Sequence, residues 1–134
     1  MTGNRRLLGA TFLLGCLGTG TELLLIGHVE DWWQYVPIVL LAIGCAGYVL
    51  IASGNTTARA TFRALMIAFA ISGAAGSMLH YNGNVEFERE VDPELSGMAL
   101  FTESIRGATP ALAPGTMMLL GAVGWAYTRV SGRE

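Results

Sequence analysis

Tyr35-Val36-Pro37-Ile38-Val39-Leu40-Leu41-Ala42-Ile43-Gly44-Cys45-Ala46-Gly47-Tyr48-Val49-Leu50-Ile51-Ala52-Ser53 is apolar throughout and carries no charge. A helix rises about 1.5 Å per residue and the hydrocarbon core of a bilayer is about 30 Å thick, so a run of about 20 such residues crosses it. Three more runs read the same way, at about 7–27, 60–79 and 110–128. Composition agrees: 52% of the residues are hydrophobic, 13% are charged, and 18 of 134 are glycine. The expected fold is therefore an all-α integral membrane protein, a bundle of four transmembrane helices. It forms a single membrane domain over 1–134 with no room for a separate soluble one.

Charge orients it. The chain has no lysine; Arg5 and Arg6 precede the first span, Arg59 and Arg63 flank the second turn, and Arg129 and Arg133 follow the fourth. An even number of crossings puts these six on one face, which the positive-inside rule assigns to the cytoplasm. The opposite loops hold Glu30, Asp31, Glu86, Glu88, Glu90, Asp92, Glu94 and Glu103, against Arg89 and Arg106. The reading is a multi-pass protein of a bacterial inner (cytoplasmic) membrane with both termini cytoplasmic. Arg5-Arg6 and the apolar run to Cys16 imitate a secretory signal, but the run continues past Cys16 with no polar start after it, so no cleavage is expected.

Small residues crowd the spans: Gly9, Gly15, Gly18 and Gly20 in the first, Ala70 to Ser77 in the third, and Gly115, Gly121 and Gly124 in the fourth. Helices in lipid associate by close backbone approach through such residues. This predicts a tight bundle with a self-association face, hence a homo-oligomer, and little polar lining for a channel. Cys16 and Cys45 fall at similar depth and read as small packing residues. Thr109-Pro110 suits a helix start, which predicts a fourth helix from about Pro110 with a bend at Pro114.

The loop from about 80 to 109 is acidic and extracytoplasmic. Asn82-Gly83 reads as a turn. Glu86, Glu88 and Glu90 share one side if the next segment is extended; if it is helical, Glu86 pairs with Glu90 at i, i+4. Asp92-Pro93 then starts a short amphipathic helix to about 106, apolar at Leu95, Met98, Phe101 and Ile105.

The candidate site gathers at this acidic mouth. His80 ends the third span on the small-residue stripe, and His28 ends the first, with Asp31 three residues on. Glu22 lies inside the first span, on the face of Gly15 and Gly18, and a carboxylate at that depth must be protonated, paired or bound to something. Two imidazoles with carboxylates suit a divalent transition metal such as zinc, manganese or iron. The expected ligands are His28, His80 and Glu22, with one of Glu86, Glu88 or Glu90. Asp31 is a ligand or an orienting partner.

Copper(I) recruiting Met78, Met98, Met117 or Met118, or a haem b held by His28 and His80, fits fewer of these residues. Trp32 and Trp33 read as interface anchors. No phosphate loop, nucleophile elbow or paired-cysteine motif is present, and the acidic balance excludes nucleic acid. Besides the lipid bilayer, a membrane partner protein is the expected contact if the chain is a noncatalytic assembly or interaction subunit. A third reading is half of a proton- or cation-coupled transporter.

Overall fold

A computed structural model describes residues 3–55 and 57–130; Arg133 lies outside them. The described elements are all helical. They are α1 (Gly3–Leu25), a 3₁₀ turn (Trp32–Gln34) running into α2 (Tyr35–Ala52), then α3 (Thr57–Val91), α4 (Gly97–Arg106) and α5 (Gly115–Val130). Helices α1, α2, α3 and α5 pack side by side in that ring order, and α4 folds back on α3. Three segments, α1, Trp32–Ala52 and α3, are long and apolar enough to cross a membrane. Their outward faces are apolar, with Leu14 72% and Leu25 81% exposed, as lipid rather than water requires.

Phe12, Phe62 and Phe69 fill the centre. Phe12 meets Phe62 edge-on at 5.5 Å between ring centroids and Phe69 at 6.1 Å. Glycines make room for the rings: a Cβ on Gly44 would stand 2.8 Å from the Phe69 ring, and one on Gly47 3.0 Å from Phe62. Between α3 and α5 the approach is backbone to backbone. A Cβ on Gly121 would lie 2.7 Å from the Met66 carbonyl oxygen, and one on Gly73 2.7 Å from that of Pro114. Most of the small residues that predict self-association thus serve packing within one chain. Gly18, with nothing within 4 Å of a Cβ built there, is left on the outer side of α1.

Three boundaries differ from the sequence reading. The loop expected from residue 80 is instead the last third of α3, which continues through Asn82-Gly83 to Val91. Asn84 is buried at 3% exposure by α4 and the segment after it, and this tertiary anchorage outweighs the turn preference of Asn-Gly. The last helix begins at Gly115, not Pro110. Pro114 has no N–H to close an α turn on Pro110. Residues 110–114 form tight i→i+3 turns instead, Ala113 N–H donating to Pro110 O (3.2 Å) and Gly115 N–H to Leu112 O (3.0 Å). The short helix likewise starts at Gly97 rather than near Pro93, with Ser96 as its N-cap.

The continuity of α3 makes a testable distinction. Gly83 is exposed, has nothing within 4 Å of a Cβ, and is not among the glycines with positive φ. Gly83→Ala should raise stability by about 0.5–1 kcal/mol, as alanine does inside a helix. An Asn-Gly turn there would give the opposite sign in thermal unfolding of the detergent-purified protein.

Candidate functional site

At the acidic end, α1 stops at Leu25 and a tight turn follows. Gly27 takes φ +67°, its N–H donates to Leu24 O (3.2 Å), and the His28 N–H donates to Leu23 O (2.9 Å). This paired closure is the Schellman arrangement, and it fixes His28 as the residue that leaves the helix. Gln34 then ties down the turn, its Oε1 accepting from the N–H groups of Glu30 (2.6 Å) and Asp31 (3.1 Å).

His80 comes from α3. Its Nδ1 lies 3.1 Å from the carbonyl oxygen of Pro110. A carbonyl only accepts, so this bond requires the proton on Nδ1 and leaves the Nε2 lone pair free in the neutral ring. The two imidazoles meet at 6.1 Å between centroids, inclined at 65°. Both rings are half-buried. Partial burial and the neighbouring His80 hold the His28 imidazole below its usual range, against the opposing pull of Glu30. His28 is therefore neutral, with a lone pair to offer, at neutral pH.

One turn beyond His80, Asn84 secures the segment that carries Pro110. Its Nδ2 donates to Ser104 O (2.8 Å) and Thr109 O (2.7 Å), and its Oδ1 accepts from Thr109 N–H (3.2 Å). Gly107 gives the amide its space, since a Cβ there would stand 2.6 Å from Asn84 Cγ. The Ser104 Oγ beside this clamp is buried without a hydrogen-bond partner among the described residues.

The other expected ligands stand elsewhere. Glu22 is exposed on the outer side of α1 together with Gly18, while Gly15 on the same stripe packs on Leu120. Because α3 stays helical, Glu86, Glu88 and Glu90 rise about 9, 12 and 15 Å along the axis beyond His80. Asp31 is exposed. Among the described residues no three His, Cys, Asp or Glu side chains converge as a metal-binding group. Glu30, absent from the expected set, is the carboxylate felt at His28. Asn84 and Pro110 were the other unforeseen members; the i, i+4 spacing of His80 and Asn84 marks the former only once α3 is continued past residue 80. No protein-family model, curated protein or solved structure matches this chain.

Asn84→Ala should lower stability by about 1–3 kcal/mol, since it leaves the backbone groups of Ser104 and Thr109 without partners. Faster amide exchange at Thr109 would locate the loss. The lowered affinity of His28 for protons has its own signature in the metal-free protein. A folded-state value below the unfolded one contributes stability above about pH 6.5 that is lost as pH falls through the folded value. His28→Gln should flatten that loss in unfolding measured from pH 8 to 5; an unchanged pH profile would remove His28 as its source.

Proposed function

We propose that the chain crosses a bacterial inner membrane four times, with both termini cytoplasmic, and binds a divalent transition metal at its periplasmic end through His28 and His80. The observation that carries the metal reading is the bond from His80 Nδ1 to the Pro110 carbonyl. Ligating imidazoles characteristically donate their second ring N–H to a carbonyl or carboxylate, which fixes the tautomer and aims the free nitrogen. With metal–nitrogen bonds of about 2.0–2.1 Å, two imidazole centroids around a tetrahedral ion stand roughly 5 Å apart. From 6.1 Å the pair has about 1 Å to close. Two protein ligands leave positions for water, Glu30 or an exogenous group, which suits metal handling or catalysis better than a closed structural site.

Four crossings draw support from the pairing of α3 with the 110–130 segment. Arg63 Nε donates to Thr128 Oγ1 (2.9 Å) at one end and His80 meets Pro110 at the other. The 17 residues of α3 between those contacts rise about 26 Å, so α5 and its preceding turns span the same depth as the third crossing. In those turns the carbonyls of Pro110, Leu112, Ala113 and Pro114 are bonded, which suits a hydrocarbon setting. Self-association follows for the outer side of α1, where a second copy over Gly18 would remove Glu22 from lipid.

A noncatalytic assembly role is the second reading. It is favoured by the α3–α4 hairpin beyond the bundle, which exposes Phe87 (52%), Val91 (68%) and Met98 (76%) around the Asn84 clamp.

Elemental analysis of detergent-purified protein, after equilibration with zinc, manganese or iron(II), decides between them. The wild type should retain about one ion per site and unfold at a higher temperature with it, since a ligand of the native state stabilises that state. His28→Ala and His80→Ala should each abolish both effects. Metal content equal in all three proteins, or none in any, would sink the metal reading and leave the hairpin as the functional element.

A further inference from the structure

We infer that the opposite end carries a binding site for an anionic phospholipid, set in the groove between α3 and α5. The inference rests on the four-crossing reading, which places that groove against lipid, and is independent of the metal. Along α3, Arg63, Ile67, Ala70 and Ala74 recur at intervals of four, three and four; along α5, Met118, Ala122, Trp125 and Arg129 recur in the same intervals. These are the periods of one helix face. Because the helices run antiparallel, each stripe ends in an arginine at the same end. Between the stripes lies an open groove of about 450 Å³ whose walls are apolar, with Ile67, Ala70 and Ala74 facing Met118, Ala122 and Trp125. Its volume falls within the ~300–1,000 Å³ of ordinary ligand sites. From residue 67 to 74 it runs about 10 Å along the helices.

The groove is headed by charge. The guanidinium carbons of Arg63 and Arg129 stand 5.9 and 5.8 Å from the Trp125 ring centroid, so two cations share one indole. Arg63 is aimed by its bonds from Nε to Thr128 Oγ1 (2.9 Å) and from a terminal nitrogen to Thr128 O (3.5 Å), and Thr128 is held in turn by its hydroxyl on Trp125 O. Two of the five guanidinium N–H donors are so engaged, and three remain. Nine of the chain's ten acidic residues lie toward the other end, and the tenth, Glu134, is outside the described residues. Two guanidiniums on the indole that lines one end of an apolar groove thus call for an anion attached to hydrocarbon. A phosphate ester on an acyl chain supplies both, the phosphate on the arginines and the chain along Ala70 and Ala122.

Native mass spectrometry of the full chain, delipidated and then exposed to phosphatidylglycerol or phosphatidylcholine vesicles, tests the site. One phosphatidylglycerol should be retained per chain at least tenfold over phosphatidylcholine. Arg63→Gln with Arg129→Gln should reduce that retention about tenfold, and so should Ala122→Phe, which fills the groove and leaves both arginines in place. Arg129→Gln alone, at an exposed residue, keeps the test readable if the Arg63 change disturbs folding. Equal retention of the two lipids would overturn the inference. Displacement by millimolar inorganic phosphate would assign the arginines to a free anion and overturn it as well. So would loss of a dimer, with lipid retention unchanged, on Ala122→Phe. A separate arm addresses the topology: in a cysteine-free background, Arg129→Cys should react with an impermeant maleimide from the same face as Arg5→Cys. Reaction from the opposite face would refute four crossings, whatever the lipid result.

Discussion

The close approach of α3 and α5 is the constraint on which the rest of the structure depends. Gly73 and Gly121 bring the two backbones so near that a single added carbon at either would stand 2.7 Å from a carbonyl oxygen across the pair, that of Pro114 just before α5 or of Met66 in α3. Gly124 is as tight against Met66. In lipid, where apolar surface gains little by leaving its surroundings, such contact replaces the hydrophobic effect as the source of helix pairing. It also sets register. With Gly73 against Pro114 and Gly121 against Met66, the pairing leaves Pro110 beside His80 at one end and Thr128 beside Arg63 at the other. Both candidate sites are read off one helix pair, and a slip of one turn between α3 and α5 would dismantle both.

The membrane character is legible because it rests on apolar length, which needs no tertiary information. Helix ends are not. Asn82-Gly83 is a strong local signal for a turn, and it loses here because Asn84, two residues on, satisfies three backbone groups of a segment 20 to 25 residues away. No local pattern contains that fact. The start of α5 differs from the sequence expectation for a related reason: Thr109-Pro110 and Pro114 each suit a first turn, and only the i→i+3 bonds of 110–114 show which proline governs.

The site was partly legible. Two histidines at span ends on the same side predict proximity, and the rings meet at 6.1 Å. Glu86, Glu88 and Glu90 join them in sequence by topology alone, and topology fixes a side without fixing a distance. Continuing α3 as a helix carries Glu86, Glu88 and Glu90 progressively away from His80, whereas Glu30 comes near because Gly27 and Gln34 fold the short link tightly back. Glu22 illustrates the remaining ambiguity of helix faces. Gly15 and Gly18 are three residues apart, yet only the first touches a neighbour, so a stripe of small residues does not say which of its two edges is covered.

The interior between the two ends bears on mechanism. At mid-bundle stand Phe12, Met66 and Phe69, each at most 1% exposed, with Leu120 against Gly15. A proton or cation moving from the histidine end to the arginine end would meet this layer, whose four side chains carry no carboxylate, imidazole or hydroxyl, before reaching the hydroxyls of Tyr48 and Tyr127 on its arginine side. It would then arrive among guanidiniums that repel it. Glu22, the one carboxylate within a span, is turned outward rather than into the layer. What the fold separates by its apolar middle are two chemistries: a pair of imidazoles at one end, that of His80 with its tautomer fixed by Pro110, and two guanidiniums on the Trp125 indole beside an apolar groove at the other.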